Sequence, residues 1–133
     1  MFKTEKILSN ETIYIKVKLN SNILKRLNTY IKNKNINVNN KLAGNIKGSY
    51  SIEDKDNYFF NNVILYLINK HTKDFPYSVP YTLTENCKYV LNTFWVNFQK
   101  KHEFNPIHDH SGVWSFVVWM QIPSSYKKEK ELP

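Results

Sequence analysis

Two stretches decide the fold: YVLNTFWVNFQ at residues 89–99 and VWSFVVWMQI at residues 113–122. Both are rich in aromatic and β-branched residues and contain neither Gly nor Pro, a composition typical of β-strands. We therefore predict strands at about 88–99 and 113–122. Because side chains alternate across a strand, we expect one face of the first stretch to pack on helices and the other to face the histidines described below. The first face is Phe94, Val96 and Phe98, and the second is Trp95, Asn97 and Gln99. The alternative is that Trp95 belongs to the core and Asn97 faces solvent.

The N-terminal half predicts helices and one strand. ETIYIKVKL at residues 11–19 alternates apolar and polar residues, which predicts a strand at about 12–19. Apolar residues at helical spacing predict one helix at about 22–32, capped by Ser21, and another at about 56–70, capped by Asp54 or Asp56 and ending near His71. A short strand is expected at residues 49–52. The order of elements favours a single α+β domain over residues 1–133, with helices on one side of an antiparallel sheet.

The net charge of +8 belongs entirely to residues 1–48, which hold ten of the 19 Lys and Arg residues and two of the 11 acids. These lysines alternate with many asparagines and form no nucleic-acid-binding motif. We therefore favour a solvated basic surface over nucleic-acid binding.

Cys87 is the only cysteine, so no internal disulfide can form, and we expect a small buried side chain in a reducing, cytoplasmic compartment. No apolar run is long enough to span a membrane, and the N-terminus has no secretory signal pattern.

His108 and His110 form the candidate site, in the polar connection between the two predicted strands. In an extended segment, residues two apart lie on the same face, so both imidazoles can bind one metal ion. Asp109 would face the other way unless the segment bends, as Pro106 and Gly112 allow. The alternative is a surface loop in which two histidines occur together by chance.

Residues 94–123 resemble the 2-oxoglutarate/Fe(II)-dependent oxygenases of marine phages and bacteria, which are related to prolyl 4-hydroxylases. The resemblance rests on a Trp-x-Asn strand, the His-x-His element, a Ser-Phe-Val sequence and a closing proline. These are Trp95 and Asn97, His108 and His110, residues 115–117, and Pro123. Residues 42–46, LAGNI, are similar to the N-terminal region of the same family.

The resemblance implies a double-stranded β-helix, or jelly roll, in which residues 1–86 pack on core strands that begin at residue 87. It implies an oxidoreductase, a dioxygenase that hydroxylates an unknown substrate with Fe(II) and 2-oxoglutarate. His108 matches the first metal ligand, and Trp95, Asn97 and Ser115 are candidate cofactor-binding residues. His110 stands where related enzymes have a carboxylate, so the second ligand is His110 or Asp109.

The resemblance stops before the family's distal histidine and the basic residue that binds 2-oxoglutarate. We therefore expect an incomplete β-helix that is inactive as an isolated chain and open to self-association through its strand edges. The alternative is a catalytically silent binding or structural module of the same fold.

Overall fold

The computed structural model describes residues 2–8, 13–76 and 87–123, which form a mixed α+β structure with small antiparallel sheets. Strands β1 (Thr4–Leu8) and β2 (Ile13–Val17) pair antiparallel, from Thr4 opposite Val17 to Leu8 opposite Ile13. Strands β3 (Ser49–Ser51) and β4 (Trp95–Asn97) form a second antiparallel pair. The predicted strands at 12–19 and 49–52 are therefore confirmed, each slightly shorter than expected.

Helix α1 (Ser21–Lys32) begins one residue earlier than predicted. The N-cap is Asn20 and not Ser21, because the Asn20 side chain accepts a hydrogen bond of 3.0 Å from the amide of Ile23. Its amphipathic pattern buries Ile23, Leu27 and Tyr30, as the spacing predicts.

The second helix runs through a π-helical turn (Phe60–Ile64) into α2 (Leu65–Asp74). The helix ends three residues beyond His71, which was the predicted end. The His71 side chain is buried next to β2, and its Nε2 atom lies 3.3 Å from the carbonyl oxygen of Ile13. Of the two predicted caps, Asp54 and Asp56, Asp54 takes the role, since its carboxylate accepts hydrogen bonds from the amides of Phe59 and Phe60 at 2.8 and 2.7 Å.

The core lies between the two helices and the extended C-terminal segments. Its buried members are Ile23, Leu27, Tyr30, Ile52, Phe59, Phe60, Val63, Ile64 and Ile68. Phe59 is 1% exposed and contacts the rings of Phe94 and Phe116, at centroid distances of 5.7 and 5.8 Å. Residues 94–97 and 113–120 therefore cover the same side of the helices.

Of the two long strands predicted in this half, the strand at 88–99 is shorter than expected, and the strand at 113–122 is wrong. Of the first, only Trp95–Asn97 forms a strand, and backbone hydrogen bonds from Ile52 to Phe94 and from Phe98 to Gly48 continue the contact with the β3 segment by one residue at each end. Residues 113–122 belong to no strand of the described sheets, although they keep the alternation of a strand. Phe94 and Val96 pack on the core as predicted, whereas Phe98 is 43% exposed beside Tyr50.

Cys87 is exposed, against the expectation of a buried thiol, since it lies at the start of an extended stretch with few buried neighbours. Within the described ranges, no helix combines the length and apolar character that crossing a bilayer requires.

Candidate metal site

The histidine loop, residues 104–112, connects β4 to the extended segment 113–122. It begins at an isolated bridge between Phe104 and Asn45, where the Asn45 amide donates to the Phe104 carbonyl at 2.9 Å. At its far end, Trp114 packs on His71 with ring centroids 4.8 Å apart. Both ends of the loop are therefore fixed to the body of the molecule.

Glu103 strengthens the first of these attachments. Its carboxylate accepts hydrogen bonds from the amides of Lys100, at 2.8 Å, and Lys47, at 3.2 Å. These two amides, the Lys100 amide most of all, lower the pKa of Glu103 below its ordinary value of 4.5. The side chain of Gln99 adds a bond to the Glu103 carbonyl. The loop is thus tied to residues more than fifty positions earlier in the chain.

Gly44 lies beside the same attachment. A Cβ atom there would meet the side-chain amide oxygen of Asn105, the end of an exposed side chain that can move aside, so the contact does not by itself require glycine. The LAGNI stretch, which the sequence singles out only by its resemblance, supports the loop through the Asn45 amide.

His108 and His110 lie side by side at the tip of the loop, both exposed, with ring centroids 4.8 Å apart and ring planes at 64°. A metal ion bonded at about 2.1 Å to one nitrogen of each ring, with the bonds about 90° to 110° apart, holds such centroids about 4.5 to 5.2 Å apart. The observed separation lies within this range, and it is also that of an edge-to-face contact between two rings.

The tautomer of His108 also suits coordination. Its Nδ1 lies 2.7 Å from the carbonyl oxygen of Pro106, which can only accept, so Nδ1 carries the proton. In the neutral imidazole, the Nε2 atom is then left with its lone pair. Metal-ligating histidines commonly make this kind of hydrogen bond through the nitrogen that does not bind the metal.

Trp95 is the one predicted cofactor-binding residue that touches the pair. Its indole stacks on the His110 ring at 6.4 Å and 27°, so β4 supports one of the two imidazoles. Asn97 and Ser115 are exposed, and no hydrogen bond, ion pair or ring contact joins either of them to the histidines.

Asp109 is exposed and does not complete the site. Across residues 2–8, 13–76 and 87–123, no three His, Cys, Asp or Glu side chains are grouped so as to hold a metal ion. The sequence therefore located the pair of imidazoles and the stacked indole. It missed Glu103, and it singled out residues 42–46 by resemblance without their contact with the loop, because these roles depend on contacts between distant parts of the chain.

The amino-acid sequence matches no family model and no curated protein, and the structure matches no solved structure.

Proposed function

We propose that this chain is a metal-binding domain of the Fe(II)/2-oxoglutarate-dependent oxygenase type, in which His108 and His110 are two of the ligands of a ferrous ion. The observation that carries the proposal is the adjacency of the two imidazoles, 4.8 Å apart, with the Nδ1 proton of His108 held by Pro106. Imidazole nitrogen suits iron as well as zinc, nickel and copper.

The surroundings of the pair support the same proposal. Apolar residues of the flanking segments, Phe94 and Phe116, pack against the helices. The histidines lie in the connection between these segments, as the resemblance implies for the first ligands of a double-stranded β-helix. Iron bound there would supply the dioxygen chemistry of that family.

The described residues fit iron better than they fit 2-oxoglutarate. No ion pair or cation–π contact brings a Lys or Arg side chain to His108, His110 or Trp95 in the described part of the chain. We therefore assign no residue to the co-substrate. This difference favours, as a second candidate, a module that binds metal without turnover.

Metal titration tests the proposal. We expect one Fe(II), or Co(II) as a spectroscopic substitute, to bind per chain. Binding should weaken at least about tenfold when both His108 and His110 are replaced by Ala, because no nitrogen donor of the pair remains.

The matched control is His102→Asn. His102 is an exposed histidine with φ 67°, a conformation that Asn tolerates, and it precedes the loop. This variant should bind metal like the wild type. Equal uptake by the wild type and the double alanine variant would refute the site.

A further inference from the structure

An aromatic pair lies at the end of the β3–β4 sheet. The rings of Tyr50 and Phe98 meet edge to face, with centroids 6.1 Å apart and planes at 69°. The Phe98 amide donates to the Gly48 carbonyl at 2.8 Å, one position beyond the last residue of β4. Phe98 is 43% exposed, although Phe94 and Val96 on the same face pack on the core. The Phe98 ring therefore offers solvent an apolar surface that the core does not use.

Lys34 lies over both rings of this pair. Its Nζ atom is 5.4 Å from the ring centroid of Tyr50 and 5.7 Å from that of Phe98. Its backbone is fixed as well, because the next residue, Asn35, donates its amide to the carbonyl of Ser51 in β3 at 2.7 Å. A positive charge is thus held beside an exposed aromatic ring.

Two further lysines leave the backbone close to the same ring. Lys47 lies one residue before the glycine whose carbonyl bonds to Phe98, and Lys100 lies two residues after Phe98. The carboxylate of Glu103 accepts hydrogen bonds from the amides of both lysines, which keeps their backbones together. Both side chains are exposed. Lys34, Lys47 and Lys100 therefore bring three positive charges to this surface, against the one negative charge of Glu103.

The wider region has the same sign of charge. Residues 12–52 include eight Lys and Arg residues and no Asp or Glu. Such a charge pattern without a binding motif is typical of a solvated surface. The fold adds what the pattern lacks, an exposed ring beside fixed cations. This combination suits single-stranded nucleic acid, because lysines neutralise phosphates while an unstacked base lies on the ring.

We propose that the surface formed by Lys34, Lys47, Tyr50, Phe98 and Lys100 binds single-stranded nucleic acid. A base stacks on the Phe98 ring, and the neighbouring phosphates lie against the three lysines. A duplex fits this surface less well, since its bases are stacked on one another and offer no free face to the ring. The proposal does not use the candidate metal site.

Fluorescence anisotropy of a labelled oligo(dT) tests the proposal, with the full chain titrated in the presence of EDTA. An oligonucleotide of about 12 residues matches the site size of one small binding fold. A mixed-sequence duplex of the same length is compared at the same salt concentration. We expect tighter binding of the single strand. The logarithm of its association constant should fall with the logarithm of the salt concentration at a slope of about −2, because three phosphates contribute about 0.7 each.

A matched pair of variants tests the ring. Phe98→Leu keeps an apolar side chain and removes the aromatic face, so the affinity for the single strand should fall at least about fivefold. Phe98→Tyr keeps the ring and should bind like the wild type. A wild type that does not bind oligo(dT), a duplex bound as tightly as the single strand, or a Phe98→Leu variant that binds like the wild type would each overturn the proposal.

A second pair of variants tests the charge. Lys34→Gln should make the salt dependence less steep by about 0.7, because one phosphate contact is lost. Lys73→Gln removes the same charge from an exposed position of α2 and should leave the slope unchanged. A Lys34→Gln variant with the slope of the wild type would show that the surface beside Phe98 holds no phosphate, and would also overturn the proposal.

Discussion

Glu103 illustrates, for a single side chain, how the histidine loop is attached. Its carboxylate accepts hydrogen bonds from two backbone amides. The bond from the Lys100 amide is 2.8 Å long, and the bond from the Lys47 amide is 3.2 Å long. The ionised form accepts both bonds, and the protonated form accepts them less well. The attachment should therefore depend on pH.

We expect Glu103→Gln to be less stable than the wild type at neutral pH and equally stable in acid. The folded protein holds the pKa of Glu103 below 4.5, so the stabilisation is present above the unfolded value and is lost as the pH falls through the lower folded value. Gln keeps one oxygen acceptor, and its NH₂ group cannot accept the second amide.

The measurement is the free energy of unfolding of both proteins by denaturant, from neutral pH into the acid range. The difference between them should shrink as the carboxyl group becomes protonated. A difference that stays constant through that range would show that the Glu103 charge does not stabilise the loop.

Residues of the candidate site differ in how far the sequence could predict them. The spacing of His108 and His110 is local, and their adjacency follows from it. Glu103 and Asn45 act on backbone groups far away in the chain, and only the folded structure brings those groups together. No local pattern carries that information.

Among the elements, the second helix depends on its N-terminal cap. The Asp54 carboxylate accepts hydrogen bonds from the amides of Phe59, which precedes the π-helical turn, and Phe60, its first residue. The preceding turn, Lys55–Asn57, includes residues with positive φ at Asp56 and Asn57. Asp54 thus fixes the direction in which the helix starts toward the core.

Replacing Asp54 by Ala should lower the free energy of unfolding by about 1 to 2 kcal/mol, because two helix amides lose their acceptor. The control is Asp56→Asn, which preserves a residue tolerant of φ 58° and removes only an exposed ion pair with Arg26. Chemical denaturation measures both. Equal losses in the two variants would contradict a capping role for Asp54.

Helices were more predictable from the sequence than strands, and the reason is physical. The two helices were predicted within a few residues, because their hydrogen bonds are internal and their apolar spacing is visible in the sequence. A strand requires a partner, which strand propensity does not supply. Residues 113–122 have the propensity but no partner among the described residues. Strand β1 (Thr4–Leu8), TEKIL, was missed because it lacks the apolar and polar alternation that made β2 visible.

At the scale of the whole molecule, two separate two-stranded sheets surround a helical core over the described ranges. The α+β class was predicted correctly, since it follows from the order of apolar patterns. The double-stranded β-helix remains part of the proposed function. It depends on long-range pairing of strands, which neither composition nor spacing determines.

The arrangement of the whole molecule leads to a final prediction: the 133-residue chain alone should not turn over 2-oxoglutarate. Two imidazoles provide fewer protein ligands than the three of a facial triad, so water should occupy most of the positions around iron. The described cations do not contact the histidines and therefore offer the co-substrate no anchor.

Succinate formation in the presence of Fe(II), 2-oxoglutarate and dioxygen measures turnover, and the double His108/His110 alanine variant is the control. We expect both proteins to give the same background, even where the wild type binds iron. Succinate formed by the wild type alone at about 1 s⁻¹, within the ordinary range of enzymes, would contradict this expectation. It would mean that a second copy or a residue outside the described ranges completes the coordination of iron and holds the co-substrate.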